Sequence, residues 1–175
     1  DSDTVVLDDV TVHNKNSAEL FLCPEFIGTR YWSDINRSYE SWKDLYDHYQ
    51  IEFPPDLIRS IIDQKIMCPY YNGGVILTKN NDFPGRLVEL SNEIYGDLPE
   101  SNYFTEMVAL ALLATDYSIS MLNERHNYFQ PLYTSPPPDG TKIVHYNDIT
   151  SYYKMLQNDN IRERLEGTKI TEQIL

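Results

Sequence analysis

The chain has 175 residues, of which 41 % are apolar, and its 27 acidic against 14 basic residues give a formal net charge of −13. The apolar fraction excludes a disordered chain and is enough for a hydrophobic core. The negative charge argues against nucleic acid or an anionic membrane surface as a partner, because both bind basic patches.

Two further features exclude other classes. No apolar stretch approaches the ~20 residues that span a bilayer, so we expect no transmembrane segment. The two cysteines, Cys23 and Cys68, are far apart in sequence and form neither a disulfide framework nor a zinc motif. Reduced thiols are typical of a cytoplasmic protein, which is the location we expect.

The chain begins with Asp1-Ser2-Asp3, followed by a short apolar run. Two carboxylates one residue apart suit a hard divalent cation such as Mg²⁺ or Mn²⁺. Such a cation can hold a diphosphate and neutralise the charge that develops as the bond to it breaks. The alternative is an ordinary turn cap. Because a metal motif of this kind needs a rigid element in front of it, we expect the chain to be the C-terminal portion of a larger domain.

In the first half of the chain, the pattern predicts a strand end at 5–7 and an irregular strand or edge segment over 20–27, where Pro24 interrupts the apolar run. A helix is predicted where apolar residues recur at helical spacing, at Ile35, Tyr39, Trp42, Leu45 and Tyr49. After Pro54-Pro55, a second helix is predicted from the apolar stripe of Leu57, Ile58, Ile61 and Ile62.

In the second half, we predict a buried strand over 70–78, a helix through Leu87, Leu90 and Ile94 closed by Gly96, and a helix over 102–114 that is apolar almost all round and the most buried of the helices. Short strands are expected at 119–122 and 142–146, separated by a polyproline segment that ends in a turn at Asp139-Gly140. A polar helical tail follows. Strands that alternate with helices indicate an α/β fold, with a mixed sheet flanked by helices. We see no repeat or linker, so residues 1–175 are interpreted as a single, partial domain.

Two further motifs carry candidate chemistry. Asn72-Gly73-Gly74 lies at the head of a predicted strand, where paired glycines let a ligand approach the backbone and the asparagine offers both a donor and an acceptor. An ordinary turn before a core strand is the alternative. His145 lies at the end of another predicted strand and could supply a nitrogen ligand to a divalent ion. It could equally be a core histidine, unless the fold returns it to Asp1 and Asp3.

The order of these motifs resembles the nucleotide-sugar glycosyltransferases of the GT-A fold, and is closest to glycogenin-like and galactosyltransferase-like members. The resemblance runs from residue 1 to about residue 147 and implies the C-terminal part of that Rossmann-like domain. It implies that Asp1, Asp3 and His145 bind Mn²⁺ or Mg²⁺, that Asn72, Gly73 and Gly74 contact the donor sugar, and that Glu106 faces the reacting sugar. The basic residue that often follows the histidine in that family is absent here, where Asn147-Asp148 follow.

The implied activity is metal-dependent transfer of a sugar from a nucleoside-diphosphate donor, of the UDP-sugar type, to an acceptor hydroxyl. Glu106 would stabilise the positively charged sugar or act as a base; a carboxylate favoured by the helix dipole is the structural alternative. A nucleotidyltransferase of related fold and an inactive sugar-binding or interaction module are the competing hypotheses. The sequence identifies neither the donor base and sugar, nor the acceptor, nor the stereochemical outcome.

Overall fold

The computed structural model describes residues 4–8, 10, 17–27, 39–97 and 105–167, excluding the side chains of residues 39–41 and 167. The chain divides into two compact units, which are described separately. Unit 1 comprises Asp1–His13 and Leu122–Leu175, and unit 2 comprises Asn14–Met121. The single domain over 1–175 stays a prediction.

Helices and short strands alternate along the described residues, which confirms the mixed α/β class. In chain order they are β1 (Thr4–Val6), β2 (Leu20–Pro24), α1 (Tyr39–His48), β3 (Ile58–Arg59), β4 (Ile66–Met67), β5 (Tyr71–Thr78), α2 (Phe83–Asp97), α3 (Thr105–Leu113), β6 (Ile119–Met121), β7 (Tyr128–Phe129), β8 (Ile143–His145), α4 (Ile149–Leu156) and α5 (Asp159–Gly167).

The main sheet of unit 2 has the strand order β5-β2-β6. Strand β2 is antiparallel to β5 and parallel to β6. The prediction of an irregular strand is confirmed, because its register with β5 shifts between Leu22 and Cys23. The alternative prediction of an edge segment is wrong, since β2 has a strand on each side. Pro24 lies beside this register shift, the kind of irregularity at which a sheet tolerates proline.

The core of unit 2 is built around α3, in which every residue from Met107 to Leu113 is buried. Helix α1 contributes Trp42 and the fully buried Tyr46, whose hydroxyl donates to the carbonyl oxygen of Ala111 at 3.1 Å. The predicted faces of α1 and α2 are confirmed within the described residues, because Trp42 and Ile94 both belong to this core cluster. The predicted start of α1 at Ile35 lies outside the described residues.

The helix predicted from Leu57 is wrong. Its residues form a two-stranded antiparallel sheet, in which Ile58 of β3 pairs with Met67 of β4. The intervening turn is fastened by side chains. The Ser60 hydroxyl accepts from the backbone N–H of Lys65 at 2.9 Å, and the Gln64 amide donates to the carbonyl oxygens of Ser60 and Ile61. Such side-chain bonds compete with helix formation.

Unit 1 contains a second sheet of order β1-β8-β7, in which β8 is antiparallel to β1 and parallel to β7. One face carries Val144 and Tyr128, which pack with Met155 of α4 and Ile161 of α5. The predicted helical tail is confirmed as two helices. The first begins at Asp148, whose carboxylate accepts from the backbone N–H of Ser151 at 2.9 Å; this bond lowers the pKa of Asp148.

The predicted turn after the polyproline segment is confirmed at Gly140, whose φ of +79° is a conformation that glycine adopts readily. Within the described residues, every helix is too short or too polar to cross a membrane.

Two residues of α2 provide a test of this core. Ile94 is fully buried, whereas Val88 on the same helix is 61 % exposed. We expect Ile94→Ala to lower the free energy of unfolding by about 2–5 kcal/mol, because it removes buried methyl groups and leaves a cavity. Val88→Ala should change it by less than about 0.5 kcal/mol. Urea unfolding measures both, and equal effects would contradict the orientation of α2.

Candidate functional site

The Asn72-Gly73-Gly74 motif forms an irregular bulge within β5. Leu22 of β2 pairs with Ile76, but the next residue, Cys23, pairs with Asn72, so residues 73–75 have no counterpart on β2. The side-chain oxygen of Asn72 accepts from the backbone N–H of Gly74 at 3.0 Å, a local turn typical of asparagine. The bulge therefore lifts the backbone of two glycines out of the regular ladder while Asn72 secures its shape.

Glu106 lies beside this bulge. It is an exposed residue in the first turn of α3, where the helix dipole favours a negative charge. A Cβ atom placed on Gly73 would lie 3.0 Å from Oε1 of Glu106 and 3.6 Å from Cγ of Met107. The structure therefore brings the predicted sugar-binding glycine and the predicted catalytic carboxylate together. Their roles stay predictions.

A third group in unit 2, Glu25, escaped the sequence analysis. It follows β2 directly and is only 1 % exposed. Its Oε1 accepts from the backbone N–H of Phe26 at 2.8 Å, and its Oε2 accepts from Nδ2 of Asn72 at 3.4 Å. In the sequence, Glu25 could have been noticed as an acidic residue inside an otherwise apolar run. A buried carboxylate is costly unless hydrogen bonds satisfy it, so such a residue often has a specific partner.

The neighbouring phenol of Tyr71 adds no charge to this region. Burial raises the pKa of Tyr71 to about 12, so its hydroxyl stays neutral at physiological pH.

In unit 1, His145 is the last residue of β8 and is 7 % exposed. Its ring packs edge-on against the ring of Phe129, with the centroids 4.9 Å apart. On the other side of β8, Thr4 pairs directly with His145. The residue after the predicted metal motif is thus the β-sheet partner of the predicted histidine ligand.

Asp1 and Asp3 themselves lie outside the described residues. Among the residues that are described, no cluster of three or more His, Cys, Asp or Glu side chains could hold a metal ion. The metal set therefore stays a prediction.

Basic side chains lie near the opposite end of β8. Lys142 approaches the carboxylate of Asp8 at 3.8 Å, and Arg164 approaches the same group at 4.0 Å. The pKa of the neighbouring His126 is lowered, first by burial and then by the positive charge of Lys142. Two basic side chains therefore share the Asp8 carboxylate at this end of unit 1.

The sequence matches the family model of the Rhodobacterales glycosyltransferase domain over residues 1–117. The match covers more than half of the chain, and the chain belongs to this family. It includes Asp1, Asp3, the 72–74 bulge and Glu106, and it ends before His145. Comparisons with curated proteins and with solved structures gave no match. Membership supports a sugar transferase with a sugar donor and an acceptor.

The contact between Gly73 and Glu106 can be tested by a double-mutant cycle. In Gly73→Ala the new methyl group presses on the Glu106 carboxylate, 3.0 Å away. The change in the free energy of unfolding should therefore be less favourable in the parent than in a Glu106→Ala background, by about 0.5 kcal/mol. Gly85→Ala is the control, since its Cβ would meet nothing within 4 Å. Urea unfolding giving equal costs in both backgrounds would disprove the contact.

Proposed function

We propose that this protein transfers a sugar from a nucleoside-diphosphate donor, of the UDP-sugar type, to an acceptor hydroxyl, and that it requires Mn²⁺ or Mg²⁺. Family membership supports sugar transfer. The observation that supports the dependence on a metal ion is the register of β1 and β8, in which Thr4 pairs with His145.

This register places Thr4 close to His145. Opposed residues of an antiparallel pair have Cα atoms about 4.5–5.5 Å apart, and adjacent Cα atoms are about 3.8 Å apart. We therefore include Asp3, which is bonded to Thr4, and Asp1, two residues further along the chain, with His145 in the proposed metal site. Two carboxylates and an imidazole form a donor set that suits Mn²⁺ and, through its oxygens, Mg²⁺. When bound, the cation would stabilise the negative charge on the leaving diphosphate.

In unit 2, the bulge and Glu106 are assigned to the donor sugar. The partly exposed glycine backbone at 73 and 74 permits close approach of a ligand. The exposed carboxylate of Glu106, held against this backbone, would stabilise positive charge on the sugar or accept the proton of the acceptor hydroxyl. Either role requires a negative charge at residue 106, so the isosteric neutral side chain is the informative replacement.

The metal assignment is tested by calorimetric titration of the chain with UDP in the presence and absence of Mn²⁺. We expect UDP binding that depends on Mn²⁺, and we expect Asp3→Asn to weaken it by about 100-fold or more, since even outer-shell partners of metal ligands account for 10–100-fold. Asp8→Asn is the matched control, because Asp8 pairs with Lys142 and has no proposed role at the metal. Equal affinities in the parent and Asp3→Asn would contradict the assignment.

The role of Glu106 is tested by Glu106→Gln, with the exposed Glu89→Gln as the control. We expect kcat for UDP release from a UDP-sugar to fall by about 10²–10⁴-fold in Glu106→Gln, with donor affinity retained. The control should keep the parent rate. A Glu106→Gln rate within a few-fold of the parent would remove Glu106 from the chemistry. UDP-sugar binding by the parent without any turnover over a panel of sugar acceptors would favour the inactive sugar-binding module.

A further inference from the structure

We propose that Glu25 is a positioning residue that fixes the orientation of the Asn72 amide and, through it, the shape of the sugar-binding bulge. This inference rests on the proposed function, in which Asn72 and the two glycines contact the donor sugar. The structure itself supplies the chain of contacts, which runs from the Glu25 carboxylate through both ends of the Asn72 side chain to the backbone of Gly74.

The Asn72 amide has a donor end and an acceptor end. Each end faces a group that can form a hydrogen bond with that end and not with the other. A carboxylate accepts hydrogen bonds, so Oε2 of Glu25 selects the Nδ2 end of the amide. The opposite end, Oδ1, is then directed at the N–H of Gly74, which can only donate. A rotation of the amide by 180° would break both bonds. The carboxylate therefore selects one of two amide orientations.

Glu25 is itself fixed by the backbone around it. Its N–H donates to the carbonyl oxygen of Tyr70 at 3.0 Å, and its own carbonyl oxygen accepts from the N–H of Ile61 at 3.1 Å. Its Oε1 accepts from the N–H of Phe26. The segment after β2 is thus fastened to the start of β5 and to the β3–β4 turn. A carboxylate held on this frame is a rigid reference for the Asn72 side chain.

The burial of Glu25 favours a positioning role over direct contact with the sugar. Glu25 is 1 % exposed, whereas Asn72 is 9 % exposed and the glycines that follow it are partly exposed. A carboxylate excluded from solvent to this degree acts on a ligand through its neighbours. An apolar side chain of similar volume would be easier to bury, and the two hydrogen bonds give the carboxylate a function that an apolar side chain lacks.

The test uses the fact that a glutamine carries one oxygen where glutamate carries two. In Glu25→Gln, an NH₂ group replaces one of the two acceptor oxygens, so either the N–H of Phe26 or Nδ2 of Asn72 faces a donor. The matched variant is Glu25→Gln with Asn72→Asp, which reverses the pair. The glutamine nitrogen then donates to the aspartate, whose other oxygen still accepts from the N–H of Gly74. This double variant restores the network without restoring the native residues.

Hydrogen exchange of the Gly74 amide, followed by NMR on the full chain, reports the network independently of any sugar. We expect exchange to become about tenfold faster in Glu25→Gln, the equivalent of one lost hydrogen bond, and to return close to the parent rate in the double variant. Calorimetry with UDP-glucose and UDP-galactose in the presence of Mn²⁺ should show affinity about tenfold weaker in Glu25→Gln.

The outcomes separate the positioning role of Glu25 from the proposed sugar-transfer function. Unchanged Gly74 exchange in Glu25→Gln would overturn the positioning role, whatever the sugar affinity. Faster exchange in both variants would also overturn it, because the reversed pair would then fail to replace the native one. If Glu25→Gln does not fold, a double variant that folds with protected Gly74 supports the proposal, and one that also fails to fold overturns it. A parent chain that binds neither UDP-sugar would instead refute the proposed function.

Discussion

The pairing of β1 with β8 is the constraint on which the proposed metal chemistry depends. It joins the first described residues of the chain to a strand near residue 145, and it places Thr4 directly opposite His145. The pair is stabilised by its other face, where Val144 belongs to a core cluster with residues of α4 and α5, and Val5 packs against that cluster. Apolar packing on one face therefore favours this register, since a shift of β1 by one residue would move Val5 and Leu7, which both pack against this cluster, to the other face of the sheet.

In unit 2 the corresponding constraint is the register shift in β5. Its regular part pairs with β2 through Ile76, and the shift occurs at Asn72-Gly73-Gly74. A bulge made of glycines exposes backbone that a regular strand would engage in the ladder, and the Asn72 side chain compensates with a local hydrogen bond. The same shift brings residue 73 against Glu106. In each unit, a buried pairing of strands thus positions a polar side chain near the end of a strand: His145 in unit 1 and Asn72 in unit 2.

Much of the fold follows from local patterns in the sequence. Helices α2 and α3 and strands β5, β6 and β8 were predictable because their apolar residues have clear periodicity or β-branched content. The segment after Pro55 was not, because its apolar stripe fits a helix while Ser60 and Gln64 fasten a turn that only the folded chain reveals. The contact of Gly73 with Glu106 and the buried bond from Asn72 to Glu25 are long-range, so spacing along the sequence could not predict them. The resemblance identified Asn72, Gly73 and Glu106, whereas Glu25 and the proximity of these residues were found only in the folded chain.

The most direct measurement is the effect of Mn²⁺ on the NMR signals of the histidine rings in the presence of UDP, since a paramagnetic ion broadens nearby signals first. His126 belongs to the same unit as His145 but lies outside β8 and has no proposed role at the metal, so it serves as the internal reference. We expect the ring signals of His145 to broaden at lower Mn²⁺ concentrations than those of His126. Broadening of His126 first, or of neither ring, would contradict a cation held between the opening aspartates and His145.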